Sequence, residues 1–303
     1  MMNLFKISGN ELYHLKDQPF KLERDLQRLF ERHLTQLTGL EFIASEFSIQ
    51  NQRLDTLAFD QETKAFVIIE YKRSANQSVL DQGVSYLNTL LKYKADFILE
   101  YQERTGKLLN KSQVDWSQSK VAFVSPNFTS FQKQAVDFKD LNIELWEVRK
   151  FENDVLFVNG IKKSKNAPSI KASVSKEQSD LSLVAQELKT YSEEDLLLKK
   201  TDDIVELYDS FKQAIFQLIP DCELIPTKLY IAFKKDGHNV VDIEIQNKQL
   251  KLFINARIGQ LDDPKQLTRD VSNIGHFGNG DYELKVRTTD NLEYIMSLIK
   301  QVL

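Results

Sequence analysis

The hydrophobic pattern changes period along the chain, and the changes sketch the elements. Asn3 to Ile7 and Glu11 to Leu15 flank Ser8-Gly9-Asn10 as a small hairpin. Leu22, Leu26, Leu29, Phe30, His33, Leu34 and Leu37 recur at helical spacing and predict one amphipathic helix. Three strand-like runs follow, Glu41 to Ile49, Arg53 to Phe59 and Ala65 to Tyr71. The last is apolar at consecutive positions, as a strand covered on both faces should be. Ser78 or Asn76 can cap a helix running to about Lys94, with Val79, Gly83, Tyr86, Leu87, Leu90 and Leu91 on its apolar side. The helical pattern then continues from Lys94 towards a stop near Gly106. Lys120 to Val124, Asn142 to Val148 and Asp154 to Val158 read as strands, and Thr129 to Lys139 as a helix. The order helix, three strands, helix, strand, helix, strand predicts an α/β domain: a mixed sheet with helices on its faces.

From Lys162 the pattern fades into a polar, serine- and lysine-rich stretch that reads as a mobile linker. Periodicity returns with the capping-box signature Ser192-Glu193-Glu194-Asp195, then a long helix, about Asp202 to Leu218, ended by Pro220. Lys228 to Phe233, Val240 to Ile245, Leu250 to Asn255 and Tyr282 to Val286 are strands. Asp263-Pro264-Lys265 suggests a short helix, and Asn291 to Val302 a last one. The expected division is therefore 1–161, a linker at 162–180, and a smaller α+β domain at 181–303. The glycine-rich loop from His276 to Asp281 matches neither a P-loop nor a dinucleotide fingerprint, so a positive-φ turn is its first reading.

Charge intrudes at the end of the most apolar strand. Glu70 and Lys72 point to the same side as Phe66 and Ile68, because side chains alternate along a strand. Asp55 lies on the preceding run, and antiparallel pairing brings it beside Glu70. Two carboxylates and a lysine can hold a divalent cation through oxygen ligands. The alternative is an ion triad closing the end of a sheet. On the first helix, Glu23 falls inside the apolar stripe, whereas Glu31 falls outside it, with Arg24, Arg28 and Arg32 on the solvated side. Glu23 is thus either an inward ligand or an acid favourable to the helix dipole. His33 reads as a core or boundary histidine, and Glu46 as an exposed alternate position.

Asp55 followed by Glu70-x-Lys72 resembles the signature of the PD-(D/E)xK nuclease superfamily, with Leu54 where the name has proline. The runs Arg53-Leu54-Asp55-Thr56-Leu57 and Ile69-Glu70-Tyr71-Lys72-Arg73 are most similar to an uncharacterised bacterial group related to mismatch-cleaving endonucleases. That group joins such a domain to a C-terminal domain of unknown function, which 228–232 and the His276 loop resemble. Gln82 and Tyr86, four apart on one helix face, resemble a feature of RecB-like nucleases that frames the site. The resemblance implies a restriction-endonuclease-like αβββαβ core and hydrolysis of DNA, in repair or defence, leaving a 5′-phosphate. It implies Mg²⁺ or Mn²⁺ held by Asp55, Glu70, the carbonyl of Tyr71 and Glu23, with Lys72 catalytic. Arg53, Arg73, Gln82 and Tyr86 would bind substrate or shape the wall. RNA as a substrate and a homodimer are further expectations. The competing reading is a nucleic-acid-binding module of the same fold with little or no turnover.

Composition agrees with this and adds little. The 303 residues, 42% hydrophobic and 28% charged, suit about two globular domains. One cysteine, Cys222, excludes an internal disulfide framework and a zinc finger, and with the non-apolar start leads us to expect a cytoplasmic protein. No apolar run approaches the length of a membrane span, which rules out a helical transporter. The net charge of −4 does not advertise nucleic-acid binding, yet a cleft can be locally basic.

Overall fold

The computed structural model describes residues 4–73, 78–164, 166–170, 184, 191–274, 276 and 278–303. The chain divides into two compact units, Met1–Lys189 and Thr190–Leu303. The stretch expected to be a linker, 162–180, falls partly outside the described residues. Its described part is tied down: Lys163 Nζ donates to the carbonyls of Phe138 and Leu141. Ser169 Oγ and the Ile170 N–H donate to the carboxylate of Asp140, and Ile170 is buried. Lysine and serine here satisfy carbonyls and a carboxylate of the first unit, which composition alone does not reveal.

The first unit opens with the hairpin β1 (Leu4–Ser8) and β2 (Glu11–Leu15). Helix α1 (Glu23–Arg32) follows, with Glu23 and Asp25 in its first turn and Arg32 in its last, each favourable to the dipole. His33, at φ −117° and ψ 18°, interrupts the expected single helix, and α2 (Leu34–Thr38) ends at Gly39 with φ 76°. Next come β3 (Glu41–Ile49), β4 (Gln52–Asp60), β5 (Ala65–Tyr71), α3 (Val79–Lys92), α4 (Lys94–Thr105), β6 (Lys120–Ser125), α5 (Ser130–Ala135), β7 (Ile143–Phe151) and β8 (Val155–Gly160). The helix expected over 129–139 stops early, at Val136, after its Thr129–Gln132 capping box.

The strands form one six-stranded mixed sheet in the order β3-β4-β5-β6-β7-β8. β5, β6 and β7 run parallel, and the remaining neighbours pair antiparallel. β5 is buried along its whole length, and its side chains divide by parity. Phe66 and Ile68 join the core under α3 and α4, whereas Val67, Ile69 and Tyr71 join the core under α1. Ser78 caps α3 by accepting from the Asp81 N–H, and Asn76 lies outside the described residues. Gly83 lets α3 approach closely: a Cβ there would stand 2.5 Å from Ile143 Cδ1. The approach fixes the helix that faces the end of β5.

The second unit contains α6 (Glu193–Leu197), α7 (Asp202–Leu218), β9 (Glu223–Pro226), β10 (Ile231–Lys235), β11 (His238–Ile245), β12 (Leu250–Ile254), β13 (Arg269–Asp270), β14 (Tyr282–Val286) and α8 (Leu292–Lys300). Its six strands form a separate antiparallel sheet in the order β13-β14-β12-β11-β10-β9. Tyr208, Phe211 and Ile215 of α7 and Leu298 and Ile299 of α8 pack on it with Ile231, Val241 and Leu252. Asp263 to Lys265 forms a turn and not a helix. In the glycine-rich loop, Gly280 has φ +89° and the His276 ring stacks on Phe253 at 5.3 Å. The Asn279 N–H donates to the buried Asp242 carboxylate at 2.7 Å. That donor is already used, so the loop closes on the protein's own acid. Among the described residues, no helix is long and apolar enough to cross a membrane.

Candidate active site

Strand register brings the two carboxylates together. Leu57 pairs with Ile68 and Thr56 with Ile69, so the next step places Asp55 opposite Glu70. Asp55 follows Leu57 and Glu70 follows Ile68 in the strand period, which puts both on the α3 face. The Tyr71 N–H donates to Asp55 Oδ2 at 3.0 Å. Lys72 continues the phase of Glu70, and its own N–H donates to the Val124 carbonyl of β6 at 2.8 Å.

Glu70 is 5% exposed and Lys72 8%, so this is a charged pair removed from water. Glu70 Oε1 accepts from Lys72 Nζ and from Gln82 Nε2, both at 2.8 Å. Glu70 Oε2 is buried and, among the described residues, has no hydrogen-bond partner. A bare carboxylate oxygen in such a place is costly and calls for an explanation. Burial pushes the Asp55 carboxyl up to about 7, with Glu70 adding to the effect and the Tyr71 N–H and Lys72 opposing it. Burial and then Glu70 also raise the Tyr86 phenol above its ordinary range, so the hydroxyl keeps its proton at neutral pH.

Gln82 and Tyr86 stand one turn apart on α3 and act on the same carboxylate. Gln82 Nε2 also donates to the Tyr86 hydroxyl at 2.9 Å, and that hydroxyl lies 3.4 Å from the Arg53 carbonyl. The Arg53 side chain is exposed and its Nε lies 2.6 Å from Glu46 Oε2. Arg73, also exposed, donates from Nη1 to the Lys21 carbonyl at 3.1 Å.

Helix α1 corrects two expectations. Glu23 is exposed, and its Oε2 accepts from the Arg73 N–H at 2.8 Å, just past the end of β5. Among the described residues no third Asp, Glu, His or Cys completes a metal-binding group, so Glu23 is not brought in as a ligand. Glu31 is half-buried, not solvated: its Oε1 accepts from Thr56 Oγ1 at 2.6 Å and from Gln27 Nε2 at 3.1 Å. The first turn overhangs the sheet end while later turns lie over β4, which inverts the expected roles. His33 is exposed and lines a groove of about 1220 Å³ with Phe20, Leu29 and Leu156, away from the carboxylates.

Gln27 escaped the sequence reading, and Glu46 was read only as an exposed position. Gln27 is buried, and its Nε2 lies 3.0 Å from the Asp55 carbonyl and 3.3 Å from Glu46 Oε1. Glu46 is exposed as expected and has φ +55°; with Ser45 opposite Thr56 and Phe47 opposite Leu54, the β3–β4 register sets it across from Asp55, where its charge raises the Asp55 carboxyl. Neither has a hydrophobic-period signature; only the i,i+4 pairing of Gln27 with Glu31 hinted at an inward polar row.

A Haemophilus influenzae protein described as uncharacterized is 59% identical over 302 residues, covering 100% of this chain and 99% of its own. The chain belongs to that protein's family. Residues 193–301 match a domain of unknown function, DUF5655, which places that domain in the second unit of the family fold. Among solved structures, EndoMS in its apo form aligns at 17% identity and a TM-score of 0.29, covering 45% of this chain and 49% of that one. A repair endonuclease from Pyrococcus abyssi aligns at 18% identity and 0.26, covering 44% and 50%. SfsA of Pyrococcus furiosus, in complex with Ca²⁺, aligns at 17% identity and 0.25, covering 52% and 74%. This chain thus spans about half of the two endonuclease chains, and scores this low carry no inference about activity.

Proposed function

We propose that the first unit is a Mg²⁺- or Mn²⁺-dependent phosphodiesterase that hydrolyses DNA, with a restriction-endonuclease-like core and a PD-(D/E)xK-type site. The observation that carries this reading is the buried Glu70 Oε2, which has no hydrogen-bond partner among the described residues, on a residue set opposite Asp55 by the strand register. An apolar sheet end has no reason to keep such an oxygen unless something cationic completes it. The donor set fits Mg²⁺: the ion takes oxygen ligands and commonly uses only one or two carboxylates, leaving positions for water and phosphate. Asp55 and Glu70 would hold it, with the Tyr71 carbonyl as the further protein oxygen. When bound, the ion acts as a Lewis acid on a phosphoryl oxygen and lowers the pKa of a water.

The side chains then have separable tasks. Gln82 and Lys72 both donate to Glu70 Oε1, which holds the carboxylate in one orientation and leaves Oε2 for the ion. The Lys72 ammonium orients the attacking water and offsets charge developing on the phosphoryl oxygens. Tyr86, protonated at neutral pH, holds Gln82 in place and closes the wall beside Arg53. Arg53 and Arg73 are exposed beside the site and offer guanidinium groups to neighbouring phosphates. The 2.8 Å Glu70–Lys72 contact also suits a second reading, a nucleic-acid-binding module with little turnover in which the pair is structural.

Cleavage of labelled duplex, single-stranded and mismatched DNA, and of RNA, separates the two readings. Mg²⁺-dependent cleavage that disappears in Asp55→Ala and in Lys72→Ala supports the enzyme. Binding without cleavage in any divalent metal would leave only the module.

A further inference from the structure

We propose that Arg24, Arg28 and Arg32 of α1 form a track that holds a nucleic-acid phosphate backbone, a proposal that rests on the nucleic-acid reading above. The three arginines are exposed, and among the described residues none of their side chains has a hydrogen bond or ion pair. They recur every fourth residue and therefore lie along one stripe, rising about 6 Å per step. Like charges at that spacing repel, so a helix with nearby acids would ordinarily pair them. Here two of the helix's three acids turn to other partners: Glu23 accepts from the Arg73 N–H and Glu31 from Thr56 Oγ1, while the half-buried Asp25 lines the groove with Leu29 and His33. The stripe thus presents three guanidinium groups with no ion-pair partner among the described residues, on a protein of net charge −4.

A polyanion lying along the stripe meets fixed charges at regular intervals. Guanidinium groups suit phosphate, since they donate in a planar fork and stay charged. Contacts of this kind position a backbone without reading bases, so the track should accept DNA of any sequence.

The test is binding of a fluorescein-labelled DNA duplex by the full chain in chelator, followed by anisotropy across a range of salt. The Arg24→Gln/Arg28→Gln/Arg32→Gln protein should bind at least about tenfold more weakly near physiological salt, with the slope of log K against log salt shallower by about 3. An Arg→Lys triple at the same positions should stay within about 1 of the wild-type slope, and also serves if the glutamine protein folds poorly. Lys92→Gln/Lys111→Gln/Lys139→Gln, exposed lysines carrying the same charge, should leave the slope nearly unchanged. Equal slopes for wild type and the arginine triple would overturn the track. So would an equal loss in the lysine triple, or no salt-dependent binding by the wild type. No cleavage is read here, so a failure of the nuclease reading shows only in the metal-dependent assay.

Discussion

Asp55 keeps its proton into the neutral range because burial and the facing Glu70 outweigh the Tyr71 N–H and Lys72. The unfolded chain releases that proton near pH 3.8 and the folded chain near 7. Between those values the native state binds the extra proton, so its stability falls as pH rises. The contribution is fully present below the lower value and gone above the upper one. Allowing for water at a half-buried carboxylate, it amounts to about 2 kcal/mol. Urea melts in chelator should show wild type losing stability from pH 5 to pH 8 relative to Asp55→Asn, which has no such proton to lose. If the variant is instead weaker at every pH, Asp55 is a structural partner of Lys72. At this scale the sequence was informative where local geometry fixes direction. The strand period placed Glu70 with Lys72, and the helix period placed Gln82 with Tyr86. It failed for Glu23 and Glu31, because the phase of a helix does not say which turn lies over the sheet.

Elements were legible where burial is two-sided or periodicity long, as in β5, α3 and α7. Their ends were not. His33 splits the first helix and Tyr93 separates α3 from α4, each without a proline or glycine to announce it. β9 and the two-residue β13 are too short and too exposed to leave a pattern. The loop before β14 was read as a glycine turn, and its geometry supplies the reason. Gly280 sits at φ +89°, and a Cβ there would lie 2.0 Å from the Ile254 carbonyl oxygen. The obstacle is backbone and cannot rotate away. Gly280→Ala should therefore destabilise the second unit by roughly 3 kcal/mol or more, seen as an earlier far-UV circular dichroism transition. Added phosphate should not restore it, since Asp242 already occupies the Asn279 N–H. Restoration by phosphate would mean that the loop is an anion site.

On the scale of the whole molecule, the chain carries a built-in reporter for one of its halves. Both tryptophans, Trp116 and Trp146, lie in the first unit. Trp116 stacks on Phe66 at 5.4 Å and Trp146 on Phe30 at 6.0 Å, one in each of its two cores. Intrinsic tryptophan fluorescence therefore follows the unit that holds Asp55 and Glu70, whereas far-UV circular dichroism follows both. Two facing carboxylates repel when no cation lies between them, and a divalent ion relieves that cost only in the folded state. Mg²⁺ at about ten times its dissociation constant should stabilise by about 1.4 kcal/mol, raising the midpoint by about 3–6 °C for a unit of this size. The shift should appear in the fluorescence melt. Asp55→Asn should abolish it while leaving the metal-free midpoint at neutral pH equal or higher, because one repulsive charge has gone. An equal Mg²⁺ shift in wild type and variant would mean the ion binds somewhere other than Asp55. No shift in wild type, together with a destabilised variant, would make the cluster an ion triad that closes the sheet end.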